Sequence, residues 1–223
     1  MKYPINQIFQ TLQGEGFYTG VPAIFIRFQG CPIGCSWCDT KYTWDKIANQ
    51  EMLLQEIMNK KKENDHWALT NEKKILNVIT NFGWKAQHIV ITGGEPCLHD
   101  LRPLTIILQT AGFTCQIETS GAYPILCTAE TWVTVSPKIK IHKTLNTIHQ
   151  ALIRADEIKY PVARKRDITT LITYLDTLCD QKKRVISLQP INHMTHAIKL
   201  CIATCISRNW RLSLQIHKYL NIS

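Results

Sequence analysis

The 223-residue sequence has no apolar run of the roughly 18 residues a membrane-spanning helix needs. Its opening, MKYPINQIFQTLQGEG, lacks the apolar core and small-residue cleavage site of a secretory signal. No Gly/Ser/Pro-rich linker divides the chain, and no internal repeat stands out at a period of about 20–50 residues. Acidic residues are scarce, 17 against 26 lysines and arginines, for a net charge of +9. The basic excess is scattered. Its short runs, Lys60-Lys61-Lys62 and Arg164-Lys165-Arg166, read as solvated faces or loops. The aromatic-studded basic stripe of a single-strand binder is missing, so an anionic small substrate is the better use for the charge. With nine cysteines and no secretory signal, a disulfide framework is excluded in favour of a reducing cytoplasm. Some of those thiols are therefore expected to bind metal and others to sit in the core.

What is present is an alternation of short apolar runs with longer amphipathic ones. Strands are predicted at Ala23–Phe28, His88–Thr92, Thr114–Glu118, Trp132–Ser136, Glu157–Lys159, Arg184–Leu188 and Arg211–Gln215. Helices are predicted at Met52–Asn64, Glu72–Phe82, Leu101–Ala111, Thr144–Arg154, Ile168–Leu178 and Thr195–Arg208, with Gly112 closing the third as a C-cap. Strands alternating with helices imply βαβ units and a mainly parallel sheet. The expectation is an α/β fold in a single domain over residues 1–223, about six units forming a partial (β/α)6-type barrel. The stretch 41–87 is long for one crossover and is expected to hold a helical insertion. In such folds sites gather at the C-terminal ends of strands.

The first predicted strand runs into Cys31-Pro-Ile-Gly-Cys35-Ser-Trp-Cys38. Three thiols within eight residues, in a loop after a strand, can converge on one metal centre. Structural zinc needs a fourth ligand, which only a distant histidine would supply here. A four-iron cluster normally takes four thiolates; three leave one iron open to a small chelating molecule. The second strand ends in Thr92-Gly93-Gly94-Glu95-Pro96, where two glycines leave main-chain groups open to a ligand. The cysteine spacing, with Trp37 between the last two cysteines, resembles the radical S-adenosylmethionine superfamily. The Gly-Gly-Glu-Pro turn one unit later resembles that superfamily's segment for the methionyl amine. The resemblance implies a [4Fe–4S] cluster on Cys31, Cys35 and Cys38 that cleaves S-adenosylmethionine to a 5′-deoxyadenosyl radical.

Further motifs narrow it. Ile8-Phe-Gln-Thr-Leu12-Gln13-Gly14-Glu15-Gly16, Phe28-Gln-Gly-Cys31, Cys38-Asp39-Thr40, Ile117-Glu118-Thr-Ser-Gly121, Ser136-Pro137-Lys138, Gln189-Pro190 and the closing Arg211-Leu-Ser-Leu-Gln215-Ile-His217-Lys218 through Ser223 together resemble the 7-carboxy-7-deazaguanine synthases, enterobacterial type. The match spans nearly the whole chain and is thinnest over 41–87. It implies the ring contraction of 6-carboxy-5,6,7,8-tetrahydropterin to 7-carboxy-7-deazaguanine with release of ammonia, on the route to queuosine. S-adenosylmethionine is then a recycled cofactor, and Mg2+ bridges the substrate carboxylate to the protein.

By that resemblance Trp37, Gly94, Ser136, Pro137, Lys138, Gln189, Pro190, Ile191 and Asn192 contact S-adenosylmethionine. Thr40 ligates the magnesium. Leu12, Gln13, Gly14, Arg27, Thr92 and the carboxylate of Ser223 meet the pterin. Glu118 and His217 are candidate neighbours of the reacting ring. On the residues alone, Thr40 reads as a loop cap, Arg27 as a strand residue paired with a carboxylate, Glu118 as a strand-end ion pair and His217 as a core histidine. The family also implies a cytoplasmic homodimer with an electron donor such as flavodoxin, and neither membrane nor nucleic-acid partners. Cys201 and Cys205, at i and i+4, read as core thiols, and Cys97, Cys115, Cys127 and Cys179 show no convergent spacing, so no second cluster is expected. Three rivals share some of these features: a glycyl-radical-enzyme activase, a basic iron–sulfur nucleic-acid-binding module, and an electron-transfer protein.

Overall fold

A computed structural model of the chain describes residues 1–60, 62–138, 145–191, 194–220 and 222. They form two compact units.

The first unit holds residues 1–11, 22–119 and 125–131. Its strands are β1 (Tyr3–Leu12, whose last residue belongs to the second unit), β2 (Pro22–Phe28), β3 (Ala68–Thr70), β4 (His88–Gly93) and β5 (Thr114–Thr119), in the order β3-β1-β2-β4-β5. β2 runs parallel to β4, with Ala23 opposite His88 and Arg27 opposite Thr92. β4 is parallel to β5, with Ile91 opposite Ile117. β3 is antiparallel to β1 and pairs Tyr3 with Thr70. His88 to Ile91 are buried in succession, as expected of a parallel strand covered on both faces. Tyr3, Ile5, Ile24, Ile26, Phe28, Ile75, Ile89 and Leu104 are wholly buried.

Two of these strands are absent from the sequence reading. β1 is ten residues long, yet its apolar alternation is broken by Asn6, which is fully buried. The Asn6 amide donates to Gln29 Oε1 (2.7 Å) and to the carbonyls of Asn64 (2.9 Å) and His66 (3.1 Å), which makes a polar residue tolerable in the core. The same network corrects the expected helix Met52–Asn64, which contracts to α1 (Leu54–Met58). Lys60 ends the turn by reaching inward, its Nζ donating to the carbonyls of Asn6 (3.1 Å), Asn64 (3.2 Å) and His66 (2.8 Å). Its solvated-face reading is thereby corrected, and burial pulls the ammonium down to about 8. Residues 41–87 thus carry two 3-10 turns, α1, β3 and α2 (Glu72–Asn81). α3 (Arg102–Thr110) ends as predicted. Gly112, at φ +92°, donates to Gln109 O, and Phe113 donates to Leu108 O.

The second unit holds residues 12–21, 120–124 and 132–223. Its strands β6 (Trp132–Val135), β7 (Glu157–Val162), β8 (Val185–Pro190) and β9 (Arg211–Leu212) are parallel and lie in sequence order. Its helices are α4 (Leu145–Arg154), α5 (Lys165–Asp176), α6 (Thr195–Arg208) and α7 (Ile216–Leu220). α5 starts three residues before its predicted position, because the Asp167 carboxylate accepts from the N–H groups of Ala163 (3.0 Å) and Arg164 (2.9 Å) and caps the helix there. The predicted strand Arg211–Gln215 stops at Leu212, and α7 follows.

Candidate functional site

The cysteine loop leaves β2 at Gly30 and is braced by main chain. Gly30 N–H donates to Thr43 O (2.7 Å), Cys31 N–H to Trp44 O (2.9 Å) and Cys38 N–H to Cys35 O (3.0 Å). Gly94 explains why the next strand ends in glycine: a Cβ there would stand 2.2 Å from Gly30 O. The bare glycine lets the end of β4 lie against the root of the loop. Its N–H is not open to a ligand, because it donates to Phe28 O (2.9 Å), and Glu95 N–H donates to Gly30 O (2.8 Å). Close packing against Gly30 is thus one reason for that glycine. The Glu95 carboxylate is itself buried and accepts from Cys97 N–H (3.0 Å) and Thr119 Oγ1 (2.6 Å), tying the turn to β5.

Cys35 is buried, Cys31 and Cys38 are half-buried, and Trp37 is exposed. Burial pushes the Cys31 thiol up to about 11, and the Glu95 carboxylate and the Cys38 and Cys35 sulfurs push it the same way. A Cys31 thiol held protonated by burial and by neighbouring negative groups suits a cationic centre, which inverts that balance. Among the described residues, no set of three or more ligand atoms within 4.8 Å of one another includes any of these sulfurs. Three thiolates with no fourth beside them among the described residues are the donor set of an iron–sulfur cluster with one iron left open.

Other expected residues of the first unit lie at the C-terminal ends of the parallel strands. Arg27 is near the end of β2, Thr92 near the end of β4 and Glu118 near the end of β5. Arg27 is nearly buried. Its guanidinium lies over the Phe9 ring (5.2 Å), pairs with Glu63 (3.1 Å) and contacts the Tyr42 hydroxyl, while its Nε has no hydrogen-bond partner. Thr40 takes the N-cap position of the turn Lys41–Thr43, but its hydroxyl makes no capping bond. It lies 3.6 Å from Cys38 Sγ instead.

The second unit assembles the remaining residues. Gln13 is buried in the turn after β1, with Gln13 N–H donating to Val21 O (2.8 Å). Ser136, Pro137 and Lys138 follow β6, and Lys138 Nζ donates to Ser136 Oγ (2.7 Å). Gln189 and Pro190 end β8, and Gln189 Oε1 accepts from Ser213 Oγ (3.2 Å). The opening and closing motifs meet here, because Ile216 N–H donates to Gly14 O (3.0 Å). A Cβ on Gly14 would lie 2.7 Å from His217 Nδ1, so only glycine fits beside α7. Asn192 and Ser223 lie outside the described residues.

Sequence reasoning missed a buried polar cluster in this unit. Glu15 pairs with Lys159 of β7 at 2.5 Å and accepts from Gln215 (2.9 Å). Burial alone would raise the Glu15 carboxyl, but the Lys159 ammonium, Gln215 and His217 outweigh it and hold it well below the usual carboxylate range. A carboxylate between two glycines, and a lysine inside the apolar Glu157–Val162 run, were the available signals. Cys201 and Cys205 are buried on α6, with thiols raised by burial, as core residues are.

A frame of parallel β-strands with three cysteines in the loop after one strand is that of a cluster-bearing radical S-adenosylmethionine enzyme. The model of the 4Fe-4S single cluster domain matches residues 12–156. The 7-carboxy-7-deazaguanine synthase of Escherichia coli (strain K12) is 59% identical over 223 residues, covering all of both chains. That of Buchnera aphidicola subsp. Schizaphis graminum is 52% identical over 222 residues, again covering both completely. The crystal structure of QueE from Escherichia coli matches with a TM-score of 0.93 and 58% identity, covering 97% of this chain and 95% of that one. The chain belongs to the 7-carboxy-7-deazaguanine synthase family, and the match bears out its mixed α/β fold.

Proposed function

We propose that this protein converts 6-carboxy-5,6,7,8-tetrahydropterin to 7-carboxy-7-deazaguanine and ammonia, in the cytoplasm, as a homodimer supplied with electrons by a flavodoxin-like donor. The observation that carries the reading is the braced triad of Cys31, Cys35 and Cys38, in a chain whose full length matches the family. Cys31, Cys35 and Cys38 hold the [4Fe–4S] cluster, which supplies the electron for cleaving S-adenosylmethionine. Trp37, Gly94, Ser136–Lys138 and Gln189–Asn192 hold that cofactor. Leu12–Gly14, Thr92 and the Ser223 carboxylate orient the pterin, whose donor–acceptor edge suits amide and main-chain groups. Arg27 receives the substrate carboxylate: its guanidinium is fixed and nearly buried, with a donor to spare. Thr40, with a hydroxyl not consumed by capping, ligates Mg2+ along with that carboxylate and water. Glu118 and His217 are the candidates for handling protons at the ring. Residues 1–223 act as one catalytic core, with 41–87 as its insertion.

No membrane-crossing helix occurs among the described residues. The test is anaerobic incubation of the reconstituted protein with the carboxypterin, S-adenosylmethionine, magnesium and a reductant. Deazaguanine product is expected, and Cys35→Ala abolishes it while far-UV circular dichroism stays near that of the parent. Product formation that survives Cys35→Ala, or no product from the parent, contradicts the reading.

A further inference from the structure

We infer that Lys159 and Glu15 are a buried positioning pair that fixes the C-terminal segment carrying His217, and thereby shapes the pterin site; this rests on the function proposed above. α7 is only five residues long and has no fully buried residue, so intrinsic helicity cannot hold it and apolar packing contributes little. What holds it is polar. Ile216 N–H donates to Gly14 O (3.0 Å), and one residue earlier Gln215 Nε2 donates to Glu15 Oε1 (2.9 Å). The other carboxylate oxygen of Glu15 meets Lys159 Nζ at 2.5 Å. Lys218 Nζ donates to Gln215 Oε1 (2.8 Å), and Gly16 N–H donates to Ser213 Oγ (3.0 Å). Glu15 therefore joins strand β7, 144 residues away in sequence, to a terminal segment 200 residues away, with one oxygen for each.

A buried ion pair is a poor route to stability. Apolar residues of similar shape in its place are often neutral or stabilising. What such a pair supplies is direction: a charge-assisted bond between fixed groups admits one geometry. Lys159 stands on β7, whose pairing with β8 runs through Lys159 opposite Ser187, so its anchor does not move. The neighbouring buried Glu157 accepts from Thr134 Oγ1 (3.0 Å) and Ser187 Oγ (2.5 Å), which fixes the adjoining stretch of the strand. The end of the chain is thus registered against the rigid sheet through two side chains, Glu15 and Gln215. Residues 12–14, expected to line the pterin, lie on the same loop as Glu15.

The test compares the parent with Lys159→Met, Lys159→Arg and Gln215→Ala as full-length, cluster-loaded protein. Two readouts are amide hydrogen exchange over residues 214–220 and the KM and kcat for 6-carboxy-5,6,7,8-tetrahydropterin. Lys159→Met is expected to speed exchange in that segment and raise KM about tenfold, the ratio that follows from 1.4 kcal/mol. The cluster's iron content and spectrum should stay those of the parent, and Lys159→Arg should recover part of the KM. Gln215→Ala removes the Glu15 link to the terminal segment and leaves the Lys159–Glu15 pair in place, and it is expected to reproduce both changes even if Lys159→Met does not fold. Parent-like exchange and KM in Gln215→Ala overturn the proposal, as does cluster loss equal to the loss of turnover. If the parent itself makes no deazaguanine, the functional reading fails, and exchange over 214–220 still decides the positioning claim.

Discussion

The two ends of the chemistry are built differently. The cysteine loop of the first unit is braced mainly by main chain, through glycines, carbonyls and N–H groups. The turn 12–21 and the C-terminal segment of the second unit add side-chain links to their main-chain bonds, with Glu15, Lys159 and Gln215 tying them together. Main-chain bracing tolerates no added bulk. The side-chain links of the second unit are sensitive in addition to loss of charge. Substitutions should separate the two regions on that basis.

The largest effect is expected from Gly94→Ala. Its Cβ would meet Gly30 O at 2.2 Å, and backbone cannot swing aside as a side chain can. The root of the cysteine loop must move, at a cost of about 1–3 kcal/mol. Most of the iron should be lost, as read by iron and sulfide quantification beside the denaturation midpoint. Next comes Asn6→Ala, which strips Gln29, Asn64 and His66 of a buried partner and should cost about 1–3 kcal/mol in chemical denaturation. Full stability in that variant would mean that the 64–66 segment is held by something else.

Glu15→Gln probes the other region through pH. The folded carboxyl titrates below its unfolded value of about 4.3. Its contribution is therefore present above that pH and is lost as pH falls toward the folded value. An acid titration of the unfolding midpoint should show this limb in the parent and a flatter one in Glu15→Gln. The smallest effect is Thr40→Val, which should leave fold and cluster intact while reducing stimulation by magnesium. Equal stimulation in variant and parent would return Thr40 to the role of a loop residue.

Much of this arrangement is legible in the sequence. The parallel strands announce themselves as short apolar runs, and their ends as Gly30-Cys31 and Gly93-Gly94. Thr195–Arg208 appears at its predicted bounds. β1 escapes notice because a buried asparagine interrupts its pattern, and a single sequence cannot reveal that Gln29 and two distant carbonyls satisfy it. The 3-10 turns and shortened α1 of 41–87 escape for a related reason. Lys60 looks like surface, and only the fold gives it carbonyls to cap. The thiols of the site are legible because their spacing is local. The Glu15–Lys159–Gln215 cluster is not, because it joins three segments that meet only in space.

The most direct measurement is iron and acid-labile sulfide content of the oxygen-free protein, with an electron paramagnetic resonance spectrum of its reduced form before and after adding S-adenosylmethionine. About four irons and four sulfides per chain are expected, with a signal that shifts when the cofactor is added. Zinc alone, or a cluster whose signal ignores S-adenosylmethionine, would contradict the account at its root.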